Sequence, residues 1–130
     1  SDEDIMYAGV NLEWGSIYRS MDGGYTWTQL NSFGDPAWAI QVDPNNSHHL
    51  VVGTVGRGVW ESFDRGETFS QIQGHYGQPT GAWDLHFGPK YGPYDGQLFA
   101  ATPQGVYAQV NGKLELFGEG SEAYDVRTIA

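Results

Sequence analysis

The chain contains no cysteine, so no disulfide can brace it or reveal its compartment. Basic residues are scarce: six Lys and Arg stand against sixteen Asp and Glu, for a formal net charge of −10. Binding along a phosphate backbone needs clustered Lys and Arg, so nucleic-acid binding is excluded. The same charge disfavours docking on anionic membranes. A neutral or cationic partner, such as a sugar, is electrostatically permitted. No apolar run approaches the roughly 18 residues needed to span a bilayer, so membrane insertion is not expected. No sustained 3.6-residue apolar period appears, and no long helix is placed. No leader-peptide pattern is present, and the first residue is Ser1 rather than Met, which fits a processed extracellular or periplasmic protein or an excerpt of a longer chain.

What is abundant is glycine and aromatic side chains: 19 Gly, 5 Trp, 8 Tyr and 6 Phe among 130 residues, a length that can bury a real core. Short apolar runs are separated by Gly, Asn, Asp and Pro, which predicts an all-β chain. These runs repeat. Ser20-Met-Asp22-Gly-Gly24-Tyr-Thr26-Trp27 and Ser62-Phe-Asp64-Arg-Gly66-Glu-Thr68-Phe69 share the pattern S-x-D-x-G-x-T-aromatic, 42 residues apart. A Gly-aromatic strand stands before each one, at Gly15–Ser20 and Gly58–Ser62, with a third copy at Gly105–Gln109. Further upstream lie Met6–Gly9, Leu50–Gly53 and Leu98–Ala101. A fourth strand type begins Ala37-Trp38, Ala82-Trp83 and Ala123-Tyr124. Four short strands at a period of about 40–45 residues predict β-propeller blades.

The shared pattern falls in the turn between the third and fourth strands of a blade. An Asp there can accept backbone N–H bonds. Gly24 and Gly66 supply a conformation a Cβ would resist. The Ser and Thr hydroxyls close the turn, and Trp27 or Phe69 packs beneath it. Identical turns on separate blades cannot converge on one substrate, so Asp22 and Asp64 are read as structural. In the third copy Asn111-Gly112, a strong two-residue hairpin signal, replaces the longer turn.

These residues closely resemble the Asp-box, or BNR, repeat found in sialidases, family 74 xyloglucan hydrolases, sortilin-type receptors and photosystem II assembly-factor-like propellers. The resemblance implies the propeller fold. It does not choose an activity, because such propellers host unrelated functions.

Three blades are expected: strands b–d of the first at 1–33 with its strand a at 122–130, the second at 35–74, and the third at 81–118. Propellers have four to eight blades. The chain is therefore expected either to close a six-bladed ring as a homodimer by strand exchange or to join further blades of a longer chain.

The loops before strand a and between strands b and c share one face. The residues there that break the repeat are the candidate ligand-binding set: Glu13, Trp14, Phe33, Asp35, Arg57, His75 and Tyr76. Trp38, Trp83 and Tyr124, which repeat, are expected in the core, as are Tyr18, Trp60 and Tyr107. His48 and His49 read as exposed neighbours in a polar loop, His86 as a surface residue, and Pro93–Gly96 as a plain turn. No catalytic residue, metal site or cofactor is assigned. Glu13, Asp35, Asp84 and Asp125 are the carboxylates near the ring entrance. The leading expectation is a non-enzymatic binding or scaffold propeller for a glycan or protein. The alternatives are part of a secreted Asp-box glycoside hydrolase and a structural subunit assembling by strand donation.

Overall fold

The computed structural model describes residues 4–9, 16–74 and 81–116. Its elements are β1 (Met6–Gly9), β2 (Ser16–Ser20), β3 (Thr28–Ser32), β4 (Ala37–Asp43), β5 (Asn46–Thr54), β6 (Val59–Ser62), β7 (Ser70–Gln71), β8 (Asp84–Phe87), β9 (Leu98–Thr102), β10 (Gly105–Val110) and β11 (Lys113–Leu116). They form three antiparallel sheets in simple meander order: β1-β2-β3, β4-β5-β6-β7 and β8-β9-β10-β11. No α-helix occurs among the described residues. The expected inner strand of the first blade, at 122–130, lies outside them.

The hydrophobic core is divided between the two seams where neighbouring sheets pack. Ile17, Phe33, Ala37, Leu50 and Val52 fill the first seam. Val51, Val59, Ile72, Ala82, Leu85, Phe87, Leu98, Ala100 and Leu114 fill the second. Strand β5 serves both, because successive side chains of a strand point to opposite faces. Leu50 and Val52 enter the first seam while Val51 enters the second. That is why β5 is buried continuously from His49 to Thr54.

The turns follow their chemistry. Asn111 and Gly112 both have positive φ, 51° and 81°, and join β10 directly to β11. Thr54 Oγ1 donates to Gly58 O and Thr102 Oγ1 to Gly105 O, both at 2.7 Å, so the loops between the second and third strands of two blades are tied in the same way. These loops, with 33–36 and 81–83, form the upper end of the molecule. The Asp-bearing turns and the first hairpin of each complete sheet form the lower end.

Candidate functional site

The two Asp-bearing turns superpose in chemistry. In the first, Ser20 Oγ donates to Asp22 Oδ1 at 2.8 Å and accepts from Gly24 N at 2.8 Å. Thr26 donates its N–H to Asp22 Oδ1 at 2.8 Å and its hydroxyl to Oδ2 at 2.5 Å. In the second, Ser62, Asp64, Gly66 and Thr68 repeat every one of these bonds within 2.6–2.9 Å. Both carboxyls are held at about 2, chiefly by the Thr hydroxyl and then the Thr N–H. Each carboxylate directs both oxygens into its own turn, so neither faces a ligand. Trp27 caps the first turn by donating Nε1 to Gly24 O at 3.0 Å. Phe69 packs edge-on against Phe33, with ring centroids 5.1 Å apart. Arg65 takes φ 60° where the first turn has Gly23 at 74°, so the bonding of the turn overrides the usual preference of a side chain.

At the upper end, Asp35 and Arg57 are brought together. Gly56 N donates to Asp35 Oδ2, and a Cβ on Gly34 would lie 3.5 Å from Arg57 Cζ, which places the guanidinium over the 33–36 loop. The main-chain O of Arg57 accepts from Trp60 Nε1 at 2.9 Å and Gln71 Nε2 at 3.2 Å. Phe33, expected on this face, is corrected to the core: it is 7% exposed and tilts against Trp60 at 5.5 Å. The indole and the Phe69 ring both pack against it. Glu13, Trp14, His75 and Tyr76 lie outside the described residues.

Two residues expected in the core emerge at this end instead. Ala37 pairs with Thr54 and Ala39 with Gly53, leaving Trp38 as the extra residue of a β-bulge. A bulge re-aims a side chain. Trp38 is 43% exposed and lies against half-buried Trp83, ring centroids 5.8 Å apart and tilted 38°. Trp83 occupies the matching position ahead of β8, where its N–H bonds Ala101 O at 2.9 Å. Half-buried Asp84 follows it, with Oδ1 accepting from Leu85 N at 3.1 Å. The second and third sheets thus bring two indoles together, Trp38 on β4 and Trp83 just ahead of β8. Tyr18, Trp60 and Tyr107 are half-buried; Trp60 and Tyr107 pack on the two cores.

The lower end holds two more departures. His48 is exposed as expected, but His49 is only 7% exposed. Both lie in β5, which begins at Asn46, and not in a loop. Asp95 accepts from Tyr91 N at 3.0 Å and Asn45 Nδ2 at 2.9 Å, so the 93–96 turn ties the second sheet to the third. His86 is exposed on β8.

No family model matches the sequence. A curated xyloglucanase, Xgh74A of Acetivibrio thermocellus, is 31% identical over 86 residues, covering 56% of this chain and 10% of that enzyme. Among solved structures, an ancestral GH74 enzyme aligns with a TM-score of 0.74 at 13% identity, over 95% of this chain and 18% of its own. A GH74 enzyme from Niastella koreensis gives 0.61 at 19%, over 82% and 19%. The GH74 xyloglucanase from Xanthomonas campestris gives 0.57 at 20%, over 82% and 20%. The chain thus spans a tenth of the curated relative and about a fifth of the solved ones. The fold is that of the β-propeller in these GH74 enzymes.

Proposed function

We propose that this stretch of propeller is part of a secreted carbohydrate-active protein of the glycoside hydrolase type, and that Trp38 and Trp83 are its contribution to the binding of a β-glucan chain. The observation that carries this reading is the bulge that turns Trp38 out of the core to meet Trp83 on the neighbouring sheet. Flat indole surfaces with a wet edge suit the apolar face of a pyranose ring. Asp35 and Arg57 border the same end and can bond hydroxyls. The acidic surface does not oppose an uncharged polysaccharide. The xyloglucanase name of the curated relative supports that substrate class over a protein ligand.

Hydrolysis needs two carboxylates flanking one bond. In this reading they come from residues outside those described, because Asp22 and Asp64 are spent on their turns, Asp35 is engaged by Gly56 N and Asp84 by Leu85 N. The test is calorimetric titration of xyloglucan oligosaccharides into the full chain and its Trp38→Ala and Trp83→Ala variants. Each substitution is expected to weaken binding by about thirtyfold, the scale of a hot-spot aromatic at ~2 kcal/mol, without lowering the melting temperature. Undiminished affinity in the double variant, or no binding of any β-glucan by the unaltered chain, overturns the reading.

A further inference from the structure

Asp43 on β4, His49 on β5 and Glu61 on β6 stand in a row across the lower half of the second sheet. Asp43 Oδ2 lies 2.9 Å from His49 Nδ1, and Glu61 Oε2 lies 2.9 Å from His49 Nε2. The side chains are 14%, 9% and 13% exposed in that order. The imidazole stacks flat on Phe63, centroids 4.4 Å apart with 5° between planes, and meets Phe87 of the third sheet edge-on at 5.9 Å. From β10, Gln109 Nε2 approaches Glu61 Oε2 at 3.5 Å. The charged groups facing His49 are therefore the two carboxylates of its own sheet. The third sheet presents a phenyl ring and a neutral amide.

An ionised carboxylate only accepts hydrogen bonds, and a neutral imidazole owns a single N–H. Both ring nitrogens stand at bonding distance from carboxylate oxygens, so only the imidazolium satisfies the row. We propose that Asp43, His49 and Glu61 form a proton-dependent clamp, which joins three strands of the second sheet while His49 is charged and opens at one end when that proton is lost. Opening strands a carboxylate against the seam with the third sheet, where an unpaired buried charge is costly.

Burial opposes the charged imidazole, but the hydrogen bonds to Glu61 and then Asp43 outweigh it, and His49 titrates above its ordinary value. A folded-state value above the unfolded one gives stability that is complete below the unfolded value of about 6.5 and is lost as pH rises through the folded one. Each unit of elevation corresponds to about a tenfold change in the folding equilibrium constant. The clamp therefore favours a mildly acidic setting, independently of what the upper end binds.

Glu61→Gln separates this idea from mere packing, because a neutral amide can donate to a neutral imidazole and satisfy it. The experiment is an NMR titration of the four imidazoles of the full chain, paired with thermal melts of the chain and of Glu61→Gln between pH 5 and pH 9. The expected result is a His49 midpoint above the ordinary histidine value of about 6.5, with a melting temperature that falls across the His49 titration. In Glu61→Gln the midpoint drops and the melting profile flattens over the same interval. A His49 midpoint at or below the ordinary value of about 6.5, or parallel melting profiles for the two proteins, overturns the clamp. If Glu61→Gln fails to fold, the midpoint in the unaltered chain decides alone.

Discussion

Gly53 on β5 packs directly against Ala82, just ahead of β8, and enlarging it should split the seam. A Cβ there would lie 2.7 Å from the main-chain O of Ala82, 2.8 Å from its Cβ and 3.3 Å from its carbonyl carbon. None of these atoms is the far end of a flexible side chain, so relief requires moving β8 away from β5. That motion would strain the Ala82 N to Thr54 O bond, 2.9 Å long, and loosen Val51, Leu85 and Ala100 in the same seam. The first seam repeats the device more loosely: a Cβ on Gly9 would meet Ala37 O at 3.0 Å and its Cβ at 3.4 Å. Overpacking of a close-packed core costs about 1–3 kcal/mol. For a domain of this size, that range lowers the melting temperature by roughly 3–12 °C.

The assay is thermal unfolding of Gly53→Ala followed by circular dichroism, beside Gly56→Ala as a control. Gly56 has its nearest atom, Asp35 Oδ2, at an ordinary 3.6 Å, so its substitution should be neutral or raise stability by a few tenths of a kcal/mol. The double variant Gly53→Ala, Ala82→Gly removes the Cβ–Cβ clash and leaves the one with the carbonyl. It should recover part of the loss and show coupling between the two sites. A Gly53→Ala protein that melts within about 1 °C of the unaltered chain would refute the reasoning, because the sheets would then be free to slide apart at no cost.

The Asp-bearing turns make a prediction in acid. With both carboxyls held at about 2, their contribution is present above the unfolded value near 3.9 and is lost as pH falls through about 2. A variant carrying Asp22→Asn and Asp64→Asn should melt below the parent at pH 6, with the gap closing toward pH 2; a gap that ignores pH would count against the assignment. Arg19 supplies a tie across the first seam, donating to Arg65 O at 2.7 Å and Glu67 Oε1 at 2.8 Å. In urea titrations Arg19→Met should lose about 1.5–3 kcal/mol, the scale of hydrogen bonds to charged groups, and Lys at this position should not rescue it. Glu67→Gln should change stability by less than about 0.5 kcal/mol, since Glu67 is 62% exposed.

The parts of the fold that were legible are those decided within a few residues. The Asp-bearing turn closes over eight positions, and every bond that defines it runs between residues two to four apart. Asn111-Gly112 specifies its hairpin in two. The candidate site was less legible because it depends on pairing across strands. Ala37-Trp38-Ala39-Ile40 reads as a strand in either register; the bulge exists only because β5 offers Thr54 and Gly53 as partners. His49 follows a polar turn and looks exposed, yet it alternates with Val51, which packs into the second seam. That alternation was the available signal, and the neighbouring His48 obscured it. Phe33 sits in a loop by sequence but is enclosed by Trp60 and Phe69 from another sheet, which no local pattern encodes.

The placement of these features explains how one blade repeat can carry both a rigid frame and a variable surface. Side-chain ties join the sheets at the lower end: Arg19 onto the second Asp-bearing turn, Asn45 onto Asp95, and Gln109 toward Glu61. There carboxylates are consumed by turns or neighbouring sheets, and substitution should register first in stability. The upper end is closed by short loops whose own backbone is satisfied through Thr54 and Thr102, so the side chains above them carry less of the structural load. Trp38 can therefore leave the core at a bulge without unpairing its neighbours, because Ala37 and Ala39 keep their places on β5. A surface built this way can change its aromatic and polar residues from blade to blade while the seams and turns beneath it stay fixed. Substitutions above the loops should thus change binding without changing folding, and substitutions below should do the reverse.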